Sequence, residues 1–107
     1  MALSGEKSVP IYIAFMRDDA TSSPTSVEWE AFFQEAGASG LFRGGSGLGA
    51  PILLRRAGEP APASSIGGFM RFEAESVAQL RPLLERHPWH IHGGTIELRP
   101  LSVDGEE

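Results

Sequence analysis

Residues 9–16 read VPIYIAFM, and both alternating sets are apolar: Ile11, Ile13 and Phe15 on one, Tyr12, Ala14 and Met16 on the other. Side chains of a strand point to opposite faces in turn. A strand apolar on both sets is therefore predicted to be covered on both faces. Pro10 stands at its beginning, where a missing N–H does least harm. A chain of 107 residues is one small domain, with helices enough to cover one face of a sheet. The other face needs a further cover. A second copy of the chain is the simplest one, because a small domain buries only a limited fraction of its own surface.

The rest of the chain repeats one plan twice. Residues 1–7 and 103–107 read as tails, the second acidic. Residues 17–26 form a polar connection, with Ser26 as a cap or Ser23–Pro24 as an earlier start for a helix over 27–36. Trp29, Phe32, Phe33 and Ala36 fall at i, i+3, i+4 and i+7, one apolar stripe. Glu28 and Glu30 suit the first turn, and Gly37 the C-terminal end. Leu41 to Arg43 begin a second strand that runs into the glycines of 44–51, and 52–55 reads as a short strand. A Pro-rich loop over 57–65 leads to a strand over 66–72. A helix over 76–86 follows, with Val77, Leu80 and Leu84 inward and Pro82 inside it, a kink or a boundary. Residues 90–99 read as the last strand. The order is β-α-β-β-α-β, a split βαβ plan of α+β class. It predicts a four-stranded antiparallel sheet with two helices on one face and the other face open.

Composition excludes several function classes. The net charge of −5 argues against nucleic acid as a partner, since backbone binding needs a basic face. The chain has no cysteine, which removes disulfides, thiolate metal sites and Cys nucleophiles and fits a cytoplasmic location. No apolar run approaches the roughly 20 residues needed to span a bilayer, so no membrane partner is expected.

The three histidines, His87, His90 and His92, lie within six residues. They fit an acid–base or anion-binding cluster at a pocket edge, or equally a helix-terminal His followed by strand surface. On a regular strand His90 and His92 share a side, which permits two metal ligands. No third is evident where three or four are needed, so neither metal nor other cofactor is expected. Arg71 breaks an apolar strand and fits either an anionic ligand or an ordinary exposed face paired to Glu73 or Glu97. Tyr12 is the only tyrosine, and its hydroxyl reaches either a pocket or a core partner. Residues 45–50, GSGLGA, match G-x-G-x-x-A. A dinucleotide fingerprint needs a helix immediately after it, and Pro51 with a β-like ILLRR follows instead, so a nucleotide site is rejected.

Ile66-Gly67-Gly68-Phe69, the helix after it, His87-Pro88-Trp89 and residues 93–100, GGTIELRP, together resemble the YCII-related family, including its DGPF-type branch. The resemblance covers residues 9–101 through short motifs. It implies a single ferredoxin-like domain whose open sheet face pairs with a second copy, a dimeric α/β barrel and so a homodimer. It also implies a pocket between sheet and helices, bordered by the turn that holds His87. The chain departs from the family pattern in three places. Ser26 to Trp29 contain no His, His87 stands where an Asp is usual, and the DGPF segment is absent.

Two functions are therefore expected. One is an enzyme without cofactor, or a binder, taking a small organic acid or aromatic molecule in a pocket near Tyr12, Arg71 and His87 with His90 and His92. The other is a non-catalytic dimerisation or binding module that lacks the family's His–Asp pair. His87 is the catalytic candidate, and His87→Ala is expected to leave folding nearly intact.

Overall fold

The computed structural model describes residues 9–101, so the expected tails lie outside the described residues. In chain order the elements are β1 (Ile11–Arg17), α1 (Ser26–Ser39), β2 (Phe42–Gly47), β3 (Ile66–Glu73), α2 (Val77–Leu84), α3 (Pro88–Ile91) and β4 (Ile96–Pro100). The strands form one four-stranded sheet in the order β2-β3-β1-β4. Every pair is antiparallel, which makes the fold α+β, with the expected β-α-β-β-α-β order and the single turn α3 added before the last strand. No helix of the described residues is long and apolar enough to cross a membrane.

β1 is interior, with β3 on one side and β4 on the other. Tyr12, Ala14, Met70 and Phe72 meet Phe32 and Ala36 of α1 and Leu80, Leu83 and Leu84 of α2 in one buried core. Phe72 and Leu80 are fully buried within it. The opposite set of β1, Ile11, Ile13 and Phe15, is half-buried with no helix over it. Opposite these three on the neighbouring strands stand Glu73, Arg71 and Phe69, and Arg99 and Glu97. The predicted two-sided apolar strand is thus real, and one of its faces is open.

Several boundaries differ from the sequence reading, each for a local reason. α1 starts at Ser26 but is capped by Thr25, whose side chain accepts from the Glu28 N–H while the Glu28 carboxylate accepts from the Thr25 N–H. This reciprocal box satisfies two of the donors that a helix start leaves without partners. Gly37 lies inside the helix, and the left-handed end residue is Gly40, at φ 76°. β2 takes in its glycines, because the ladder to β3 continues through Gly45, Ser46 and Gly47. Residues 52–55 are not a strand, and Ile52 and Leu54 are 86% and 90% exposed. In α2 the buried residues are Leu80, Leu83 and Leu84, while Val77 is half exposed. Pro82 sits in this helix as expected, on its exposed side.

The largest correction concerns 90–99. Pro88 at the first helical position starts a single turn over Pro88–Ile91, and the strand begins only at Ile96. Proline fits that position because its ring presets φ and its missing N–H has no helical acceptor to lose. Gly93 then adopts φ 89°, and a Cβ there would meet Thr21 Oγ1 at 2.8 Å. His90 and His92 therefore never share one side of a strand.

Candidate functional site

A cavity of about 310 Å³ opens between α1 and the glycine-rich end of the sheet. Trp29 and Phe33 of α1, Met16, Phe42, Met70 and Trp89 wall it, and Gly45, Gly47 and Gly67 leave its floor without side chains. Trp29 and Phe33 stack at 5.8 Å, and Phe33 meets Phe42 at 5.9 Å. The Trp89 Nε1–H donates to the Arg17 carbonyl at 2.7 Å, which anchors this indole across β1. Gly94 lies directly against the Trp89 ring, where a Cβ would collide with it. The GG pair read from the sequence thus has two separate duties: Gly93 supplies a left-handed turn, and Gly94 makes room for an indole. Among the described residues no charged side chain lines the cavity, and the one polar side chain that does, Ser46, donates to the Gly47 carbonyl.

His87 stands behind this wall. It is 0% exposed, with Phe32 at 4.6 Å and the edge of Trp29 at 5.3 Å, measured between ring centres. Its Nδ1 accepts the Trp89 N–H at 3.0 Å as the N-cap of α3. An accepting Nδ1 leaves the proton of the neutral ring on Nε2, and Nε2 is buried with no hydrogen-bond partner. Burial, and secondly the charge of His90, push its pKa down to about 4. Loss of hydration disfavours the charged form, and a helix N-terminus offers a cation no help. His87 is thus a neutral side chain that buttresses Trp29, and the helix-terminal position expected to tolerate alanine is instead fully enclosed.

The other expected site residues do not converge. Tyr12 is in the core at 8% exposure. Arg71 is exposed on the open face, across β1 from the helices; Glu73 pairs with Arg43 and Glu97 with Arg17 and Arg99. His90 is exposed beside a shallow depression with Leu84, Glu85, Ile96 and Leu98. His92 is the one histidine held by polar side chains: Ser22 Oγ lies 2.6 Å from its Nδ1, and both Glu28 oxygens lie 3.0 Å from its Nε2. Hydrogen bonds from Thr25 and then from His92 hold the Glu28 carboxyl below its ordinary pKa. Among the described residues no group of three or more His, Asp or Glu is arranged to hold a metal ion.

Compared by sequence, the chain matches no family model and no curated protein. The sequence reading expected a pocket near Tyr12, Arg71 and His87; none of the three lines this cavity, whose floor the glycines make by what they lack. The signal was present in the GGSG run and in Gly67–Gly68, which face each other across β2 and β3.

Proposed function

We propose that this chain is a YCII-like protein of ferredoxin-like type that binds a small aromatic molecule in the cavity under Trp29 and Trp89. The observation that carries the reading is the composition of the lining: five aromatic residues and two methionines around about 310 Å³, with no charged residue among the described ones. Pockets of this size and character suit planar apolar ligands, which gain from offset or edge contacts with rings. A small organic acid suits it less, because the one cation expected to bind it, Arg71, is on the other face of the sheet. The absence of any titratable lining group favours binding over chemistry inside the cavity itself, as in the non-catalytic alternative.

The test is a titration of intrinsic tryptophan fluorescence with phenols, indoles and naphthalenes. Trp29 and Trp89 are the chain's two tryptophans and both line the cavity, so occupancy quenches or shifts their emission. Phe33→Ala, at a residue 44% exposed, should weaken binding about tenfold, or about 1.4 kcal/mol, with little loss of stability. No response to any aromatic compound at millimolar concentration would reject the reading.

The reading includes a homodimer formed through the open face, in the cytoplasm. Support comes from Ile11, Ile13, Phe15 and Phe69, an apolar centre without a helix cover, ringed by Arg17, Arg43, Arg71 and Arg99 and by Glu73 and Glu97. A patch holding both signs is able to complement itself about a twofold axis. Light scattering should give about twice the chain mass of 11.5 kDa, and Phe15→Asp should return it to one chain mass. A monomer in the unsubstituted protein at micromolar concentration would remove the dimer.

A further inference from the structure

The cluster at His92 lies outside the cavity and is built to more than a surface contact. A carboxylate only accepts hydrogen bonds, so with Glu28 on Nε2 the proton of the neutral imidazole sits on Nε2. Nδ1 then presents a lone pair to the Ser22 hydroxyl, 2.6 Å away, and the hydroxyl donates. This is the serine, base and acid arrangement of covalent acyl transfer. The two ring nitrogens are exchanged relative to the commoner form, which leaves the proton path through the imidazole unchanged. Each support is itself held. Glu28 is fixed by the capping box of α1. The His92 carbonyl accepts from the Thr21 N–H at 2.9 Å and from Thr21 Oγ1 at 3.1 Å, which ties the serine loop to the end of α3. Ser22 itself is exposed and open to a substrate.

We propose that Ser22 is a nucleophile for small esters, with His92 as its general base and Glu28 as a positioning carboxylate. Ser22 Oγ attacks the ester carbonyl carbon as His92 Nδ1 takes the hydroxyl proton. The bond from that carbon to the leaving oxygen then breaks, and the alcohol departs with the proton from His92. Water, giving its proton to His92 in the same way, attacks the acyl carbon. Ser22 is released and takes the proton back. Glu28 stabilises the imidazolium that exists between the two transfers. A preference for esters whose acyl group carries an aryl ring rests on the cavity reading: Trp29, next to Glu28 in the chain, and Trp89, three residues before His92, both line the cavity.

The experiment is reaction of the full chain with an alkyl fluorophosphonate, with the adduct located by peptide mass spectrometry and its rate followed from pH 5 to 9. Ser22 should be modified and Ser23 not, and Ser23→Ala should label as the unsubstituted chain does. Ser22→Ala should abolish the adduct, and His92→Gln should slow it at least a hundredfold. Glu28→Gln keeps the helix cap while removing the negative charge beside His92; His87, the N-cap, and His90 are the other titratable groups of that turn. This variant should slow labelling and move the midpoint of the pH profile down, which a purely structural role would not do. No adduct on Ser22, or an equal rate in His92→Gln, or an unmoved profile in Glu28→Gln would overturn the proposal. Equal labelling by alkyl and benzyl phosphonates would remove the ring specificity and leave the nucleophile. Aromatic binding without any Ser22 adduct would remove the nucleophile and leave the cavity.

Discussion

Acidification from pH 7.5 to pH 4 should remove about 3 kcal/mol of folding stability through His87 alone. The unfolded chain holds this imidazole at an ordinary pKa of 6.5, the folded chain at about 4. Between those values the unfolded state binds the extra proton, so stability is complete above pH 6.5 and is lost as pH falls toward 4. A difference of about 2.5 pKa units corresponds to about 3 kcal/mol. Asp19, Glu28 and Glu97 also have lowered pKa values, through hydrogen bonds to Thr95, to Thr25 and to Arg99 respectively. Asp19 is exposed and Glu28 and Glu97 are partly exposed, and their contribution falls below pH 4.5, so the upper part of the window belongs to His87. Urea melts at half-unit pH steps read this directly. In His87→Phe the slope between pH 6.5 and 4.5 should vanish; an undiminished slope would place the proton elsewhere. At pH 7.5 His87→Ala should cost about 2–4 kcal/mol, by opening a void behind Trp29 and removing the cap of α3.

Gly94→Val should be the most damaging single change at the cavity, lowering stability by about 2–3 kcal/mol and abolishing aromatic binding. A Cβ at this position meets the Trp89 indole, and it would also stand 2.9 Å from the Trp89 carbonyl. The ring must swing away. Its hydrogen bond to the Arg17 carbonyl then breaks, and the cavity loses a wall. Thermal unfolding and the fluorescence titration separate the two losses. Trp89→Phe, which keeps a flat ring but no N–H, should retain part of the binding. If Gly94→Val binds as well as the unsubstituted chain, Trp89 is not the wall that matters.

What the sequence made legible was whatever repeats along the chain. The double apolar set of 11–16 announced an interior strand with one face left open, and Phe32 and Ala36 of the stripe became the buried contacts of α1. Local chemistry was harder to weigh. HPWHIH carries β-like and helix-starting signals together, and Pro88 at the first helical position settled it in favour of a turn. The side-chain cluster was beyond a linear reading, because Ser22 and Glu28 are 70 and 64 residues from His92 and meet it only once the chain has folded. The burial of His87 was hidden for a related reason: Phe32, which encloses it, is on the other helix.

The strand order also has a consequence in time. Among the described residues β1 is the first element and is flanked by β3 and by β4, the last. A chain emerging from the ribosome therefore exposes residues 11–17 while residues 18–65 are made, before β3 arrives, and β4 docks after β3. Contacts so distant in sequence make for slow folding, since the intervening loops must close first. Until then a strand apolar over residues 11–16 has two unpaired edges, the state most open to pairing with a neighbour on the same message. Slowing translation after β1 should for this reason lower soluble yield more than slowing it after β3.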